Sequence, residues 1–327
     1  FKWQESDVFP NFSDHHTTFI NGSYLYVVGG QRESTSAVYS TFYRAELRDG
    51  GAALGPWTAM PELERPIAYH GQAEDNGRVF LAAGLSADDA GIFASGRTYI
   101  GGPTGDGGYA FVRGSSVTSV RLHPTMTVVQ GQLVLAGGQG SAGAILSTVE
   151  TLTLFPDGGE SAWTQAQGLP TPRSHHTAVV YKDHLYLLGG FTTNDVEQPA
   201  VWRSQHNDAG VISGWDVVGT FPSPPWTSPG LVIGDYVYLI GGGTFAGGGA
   251  FIPTINRGTF LADGGVGEFT TVEDPLPVGR SHVHQSPTFN DHVYSVAGRV
   301  ATTGGVGYDA TNRVFIGTFR PNPDAGQ

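Results

Sequence analysis

The sequence predicts an all-β protein: a six-bladed β-propeller built as one domain over residues 1–327 and closed by an N-terminal strand that completes the last blade. Three observations predict it. A short apolar strand ending in small residues recurs six times, and its first small residue is Gly29, Ala83, Gly137, Gly189, Gly241 and Ala297. The spacings are 54, 54, 52, 52 and 56 residues, a period at which each unit buries its apolar face against the next. Asp followed by Gly-Gly or Ala-Gly keeps step with it, at Asp49, Asp106, Asp157, Asp208, Asp263 and Asp324. Finally, Gly 49 and Pro 20 are about a fifth of the chain, against an average usage of roughly 12%; helices tolerate that badly, and turn-rich sheets need it.

Each unit of about 54 residues accommodates four short strands. One precedes the Gly-Gly strand, the Gly-Gly strand follows, a third leads to the Asp turn, and the fourth carries a large aromatic. The aromatic is Trp57, Phe111, Trp163, Trp215 or Phe269. Asp-Gly suits a tight turn because such turns need positive φ. Calcium binding there is disfavoured, since one carboxylate per turn supplies too few ligands. The sixth unit ends just after Asp324 without an aromatic strand, and Trp3 stands 54 residues before Trp57. The N-terminal segment is therefore expected to supply the missing strand and seal the last sheet edge.

Composition narrows the function. With no cysteine there is no disulfide, iron–sulfur cluster, thiolate zinc site or cysteine nucleophile. A net charge of −12 argues against nucleic acid and anionic membrane surfaces as partners. No apolar run approaches the ~18 residues that cross a bilayer as a helix. Phe1–Ser6 has no signal-peptide character. Charge and Gly-rich loops favour an exported bacterial protein, extracellular or periplasmic, whose leader is absent from this chain.

Pro172-Arg-Ser-His-His-Thr-Ala-Val-Val-Tyr-Lys-Asp-His-Leu-Tyr-Leu-Leu-Gly-Gly190, with the later Trp215, resembles the kelch repeat, and the resemblance covers essentially the whole chain. It implies a propeller of the kind found in the central domain of galactose oxidase, with the first strand of every unit lining a central channel. Units 2 and 6 depart from it with Ala-Gly for Gly-Gly, and units 2 and 5 with Phe for Trp.

Histidine is distributed unevenly. Of 11 histidines, eight fall 13 to 16 residues before the first small residue of a unit, where the first strand begins; chance would place about one there. His16, His70, His176 and His284 sit at position −13, where the kelch pattern itself often has His, so a structural hydrogen bond accounts for them. His15, His123 and His175 sit at −14 and His282 at −15. In kelch proteins that bind on the axis these positions contribute to the pocket rim, which makes Asp14, Ser174, Tyr69, Trp226 and Thr227 further rim candidates.

Imidazoles converging beside one carboxylate suit zinc, copper or iron. By resemblance, galactose oxidase and the nitrile-specifier proteins show that such propellers can hold metals, although neither motif set maps here. His15, His123 and His175 are the first choice of ligands, and His16, His70, His176 and His284 the rival set. Arg121 and Arg173, at −16, suit an anionic sugar or, more simply, a salt bridge to a neighbouring blade. The Gly-rich segments 87–93, 241–250 and 301–308 are either loose connections or mobile walls of a ligand mouth.

Three functions follow as expectations. The first is a metal-binding propeller with a His-rich channel mouth, as a copper- or iron-dependent enzyme if it is catalytic. The second is a non-catalytic module for a protein or glycan. The third is a metal-free enzyme on a small sugar, like the mutarotases among bacterial kelch propellers. That one needs an acid–base pair, for which only Asp14 and the histidines are obvious.

Overall fold

The structure, a computed structural model, describes all residues except 106, 141, 246–248, 303–306 and 320–327. Asp106 and Asp324 of the turn series lie outside the described residues. Among the described residues there is no α-helix, and hence no helix long and apolar enough to cross a membrane.

The strands follow one another as antiparallel meanders, one per sequence repeat, which is the blade set of a six-bladed β-propeller. Blade 1 runs Thr17–Asn21, Tyr24–Val28, Phe42–Arg48, Thr58–Met60. Blade 2 is Gly71–Asp75, Arg78–Ala82, Thr98–Pro103, Tyr109–Gly114. Blade 3 is Thr125–Val129, Gln132–Ala136, Val149–Thr153, Thr164–Gln165. Blade 4 is Thr177–Tyr181, His184–Leu188, Ala200–His206, Ile212–Thr220. Blade 5 is Gly230–Ile233, Tyr236–Ile240, Ile255–Thr259, Thr270–Val272. Blade 6 is Thr288–Phe289, His292–Val296, Val314–Thr318 and, from the other end of the chain, Lys2–Ser6.

The chain forms two compact units. Blades 1, 5 and 6 lie in Phe1–Ala68 with Thr227–Gln327, and blades 2, 3 and 4 in Tyr69–Trp226. Within each unit the core fills the space between sheets of successive blades. Leu25 and Val27 of blade 1 meet Tyr294, Val296 and Ile316 of blade 6. Phe80 and Ala82 of blade 2 meet Leu133, Leu135 and Trp163 of blade 3. Apolar burial of this kind is the main stabilising term.

The N-terminal strand closes blade 6 as expected: Lys2 to Ser6 pair with Thr318 to Val314, Trp3 opposite Gly317. Gly317 has no side chain because the Trp3 ring covers it; a Cβ there would lie 2.8 Å from the indole. Removing residues 1–6 strips this ring and bares the Val314–Thr318 edge. The truncated chain should unfold at markedly lower temperature than the full chain, by about 10 °C or more, and calorimetry reads the shift.

The Gly-Gly pair has one structural job, repeated six times. The second glycine donates its N–H to a carbonyl in the segment leading into the next blade. In one unit these bonds are Gly242 to Arg280, Gly298 to Ser13 and Gly30 to Ile67; in the other they are Gly84 to Arg121, Gly138 to Arg173 and Gly190 to Pro225. The first small residue is left-handed in every blade, with φ of 51° to 69°, which Ala83 and Ala297 also adopt. The second has φ between 72° and 104° and is Gly in all six, because a Cβ is poorly tolerated there. At Gly138 it would also lie 2.6 Å from the Leu122 carbonyl oxygen. Gly138→Ala should therefore cost about 2 kcal/mol or more in urea unfolding, and Ala83→Gly less than about 1 kcal/mol.

The Gly-rich segments after these pairs carry backbone pairing where they are described; 246–248 and 303–306 lie outside the described residues. Leu85–Asp88 pairs with Gly91–Ala94, Gly243–Thr244 with Ala250–Phe251, and Arg299–Ala301 with Tyr308–Ala310. Gln31–Arg32 with Ala37–Val38 and Phe191–Thr192 with Val196–Glu197 make the same hairpin in blades 1 and 4. Sequence suggested either loose connections or mobile walls; the paired segments are built extensions at the Gly-Gly end of blades 1, 2, 4, 5 and 6, while blade 3 has an isolated bridge from Gln139 to Ile145.

Candidate functional site

The first strand of each blade starts where its second strand ends: Thr17 pairs with Val28 and Thr125 with Ala136. The residues just before it therefore share one edge with the Gly-Gly pair and its hairpin. A single left-handed, non-glycine residue sits there in every blade: His15, Tyr69, His123, His175, Thr227 and His282, with φ from 49° to 60°. Histidine is enriched in this conformation, whereas a β-branched residue such as Thr227 is a strained occupant. His282 belongs to this series although it stands one residue earlier by counting, because blade 6 carries one extra residue before its Ala-Gly.

The left-handed turn lets the backbone bond from blade to blade. His15 donates its N–H to the carbonyl of His282 at 2.9 Å, and His123 does the same to Tyr69 at 2.8 Å. The side chains then meet in a row. In the unit of blades 2 to 4, Tyr69 meets His123 edge-on at 4.4 Å, and His123 stacks on His175 at 3.7 Å with 26° between planes. His175 also stacks on Phe191 at 4.5 Å and meets Trp226 edge-on at 6.3 Å. Tyr69 and His175 are half-buried, while His123 and Trp226 are 7% and 9% exposed. Ser174 holds the His175 ring through a 2.9 Å bond to Nδ1.

The other unit carries charge instead. Asp14 is fully buried, and its carboxylate accepts from His15 Nδ1 at 2.5 Å, Gln31 Nε2 at 3.1 Å and Arg299 Nε at 2.9 Å. Arg299 reaches on to Glu33 at 2.9 Å. A buried carboxylate needs this much compensation. His15 contacts His282 at 4.5 Å and His284 at 5.3 Å, and Phe251 lies 5.5 Å from His282. Gln31, Phe191 and Arg299 were not anticipated. Each directly follows its Gly-Gly or Ala-Gly pair and bridges back to Asp14, Ser174 or Ser281, so counting one place beyond the pair would have found them.

Of the histidines counted at −13, His16, His70 and His176 are packing residues, whereas His284 is half-buried and lies beside His15. His176 shares a 2.8 Å hydrogen bond with Thr125 of blade 3. Burial drives its imidazole well below the usual range, and drives His16 and His284 down to about 4. His70 is likewise buried. The arginines at −16 do not reach out for a ligand. Arg121 pairs with buried Glu150 in the blade it leads into, not with a neighbouring blade. Arg173 lies 3.7 Å over Trp202 and donates to the Ala200 carbonyl.

For a metal, the donor set is tested by its geometry. Among the described residues no group of three or more His, Asp and Glu side chains is arranged to hold an ion. Imidazole lone pairs lie in the ring plane, so the stacked His123 and His175 point theirs side by side rather than at one point. His15 directs Nδ1 to Asp14, whose oxygens are already engaged.

Acid stability follows from the −13 residues. His16 titrates near 6.5 when unfolded and near 4 when folded, so on acidification the unfolded chain takes up its proton first. The stability this group contributes is full above pH 6.5 and is lost as pH falls from 6.5 to 4, at about 1.4 kcal/mol per pH unit. His176 acts in the same direction. Thermal melts from pH 7 to 4 should show falling stability, and His16→Asn should flatten the slope by about that amount.

No protein-family model matches the chain. Alpha-scruin of Limulus polyphemus is 24% identical over 148 residues, 44% of this chain and 15% of its own length. Kelch-like protein 36 of Mus musculus is 30% identical over 135 residues, 41% of this chain and 21% of its own. Kelch repeat protein M-T8 of Myxoma virus (strain Lausanne) is 22% identical over 223 residues, 67% and 38% of the two chains. The matches thus span well under half the length of these relatives. The solved structure of YjhT superposes with a TM-score of 0.75 at 14% identity, covering 97% of this chain and 98% of that one. Fold and repeat relatives together make the chain a kelch-repeat β-propeller.

Proposed function

We propose that the chain is a non-catalytic binding propeller that takes up a segment of a partner protein along the edge formed by the left-handed residues. One observation carries this reading: Tyr69, His123, His175 and Trp226 come from successive blade edges yet touch in one row, each through a ring face or edge. Ring faces and edges, with a hydroxyl or N–H at the rim, are what protein-binding surfaces present at their energetic centres. Catalysis has less support. Asp14 is spent on three partners and is sealed from solvent, which leaves no free acid–base pair for sugar chemistry. The zinc, copper or iron reading lacks a converging donor set among the described residues.

The test selects peptides from a random displayed library against the whole chain and measures their affinity by calorimetry. Tyr69→Ala combined with Trp226→Ala should weaken selected peptides by about tenfold or more. Phe155→Ser, which removes an exposed ring on the turn at the opposite end of blade 3, should leave them unchanged. Equal affinity for the double variant would refute the reading. So would one tightly held copper, zinc or iron ion per chain that is lost in His123→Ala and His175→Ala.

A further inference from the structure

The outer strand of a blade ends its sheet, and such an edge can pair with another chain unless something blunts it. Five blades carry such a device. In blades 1, 3 and 5 the outer strands Thr58–Met60, Thr164–Gln165 and Thr270–Val272 are only two or three residues long. Ile212–Thr220 of blade 4 is long, but its pairing is broken by two register shifts. Lys2–Ser6 of blade 6 carries Lys2 and Glu5. Blade 2 is the least protected. Tyr109–Gly114 pairs with Thr98–Pro103 over six continuous positions and is the last strand of its sheet. It has one charge, Arg113, no proline, and Val112 at 64% exposure.

We propose that this edge is a dimerisation surface, on which two copies of the chain pair their Tyr109–Gly114 strands antiparallel about a two-fold axis. The strand is complementary to itself. A symmetric antiparallel pair keeps the same sheet face on both copies, so it centres on a residue, and Val112 and Phe111 are the two centres that pair five of the six positions. Centred on Val112, the valines meet and each Arg113 faces the partner copy's Phe111. Centred on Phe111, the two rings meet and each Arg113 faces Tyr109. Either register sets a guanidinium against an aromatic ring and never against a like charge. Tyr109 and Phe111 already lie together over Gly101, where a Cβ would come within 2.6 to 2.7 Å of their rings. The partner's Arg113 would extend that row. The overall charge of −12 opposes approach at long range, so salt should strengthen the dimer.

The test is sedimentation velocity of the full chain up to about 200 µM at low salt and at about 0.5 M salt, with amide hydrogen exchange at both ends of the concentration range. The expected result is a salt-strengthened dimer whose formation protects amides within 109–114. Val112→Lys should weaken it by about tenfold or more, and Val112→Thr, which keeps a β-branched residue, by less than about threefold. Val112 is exposed, so both variants should melt with the parent. A chain that stays monomeric throughout, a Val112→Lys dimer of unchanged affinity, or protection gained elsewhere would overturn the proposal. None of these outcomes bears on the ring row.

Discussion

The constraint on which the rest depends is the hydrogen bond from the second glycine of each Gly-Gly or Ala-Gly pair to the segment entering the next blade. It recurs at all six repeats with N···O distances of 2.7 to 3.4 Å. Forming it requires two successive positive-φ residues, which turn the chain out of the second strand and bring its backbone against the neighbouring segment. That contact fixes where the next first strand begins. It also fixes the six left-handed residues, which stand on the carbonyl side of the same junction. A site built on those residues inherits its precision from backbone bonding, and the side chains there are free to differ.

They do differ, and this explains why counting histidines marks these junctions without giving their chemistry. The excess of histidine near position −14 reflects a backbone conformation that histidine enters more readily than most residues, combined with a kelch-type preference at −13. The two sets separate by environment. His16 and His176 are buried and held neutral, while His123 and His175 spend their faces on each other. A metal expectation drawn from residue type and spacing alone has no access to ring orientation, and ring orientation decides whether lone pairs converge.

The fold was largely visible in the sequence because it is carried by repetition. The period, the Asp turns and the pairing of Trp3 with the last blade all depend on residues that recur or are conspicuously missing. What sequence could not supply were the singular features. The hairpins after Gly-Gly vary in length and composition, so no pattern marks Leu85–Ala94 as paired. The extra residue in blade 6 displaces His282 from the counted register. The recruitment of Arg299 by Asp14 joins residues 285 positions apart, for which one sequence offers no signal.

The arginines show how one scaffold position can take different chemistries. Arg121, Arg173 and Arg280 enter equivalent junctions, and each turns inward onto the same place in the third strand of its blade. Arg121 meets Glu150, Arg173 meets Trp202 and Arg280 meets Phe315. A carboxylate compensates the buried cation directly. An aromatic face does so less completely, and burial accordingly pushes Arg173 and Arg280 down to about 9, still cationic at neutral pH. The junction tolerates all three because the backbone bond from the glycine is made regardless of which side chain sits beneath it. The same tolerance lets blade edges 2 to 4 present rings while blades 1 and 6 present charge. The chemistry presented at a junction is therefore set by which residues occupy it, and the fold itself is indifferent to the choice.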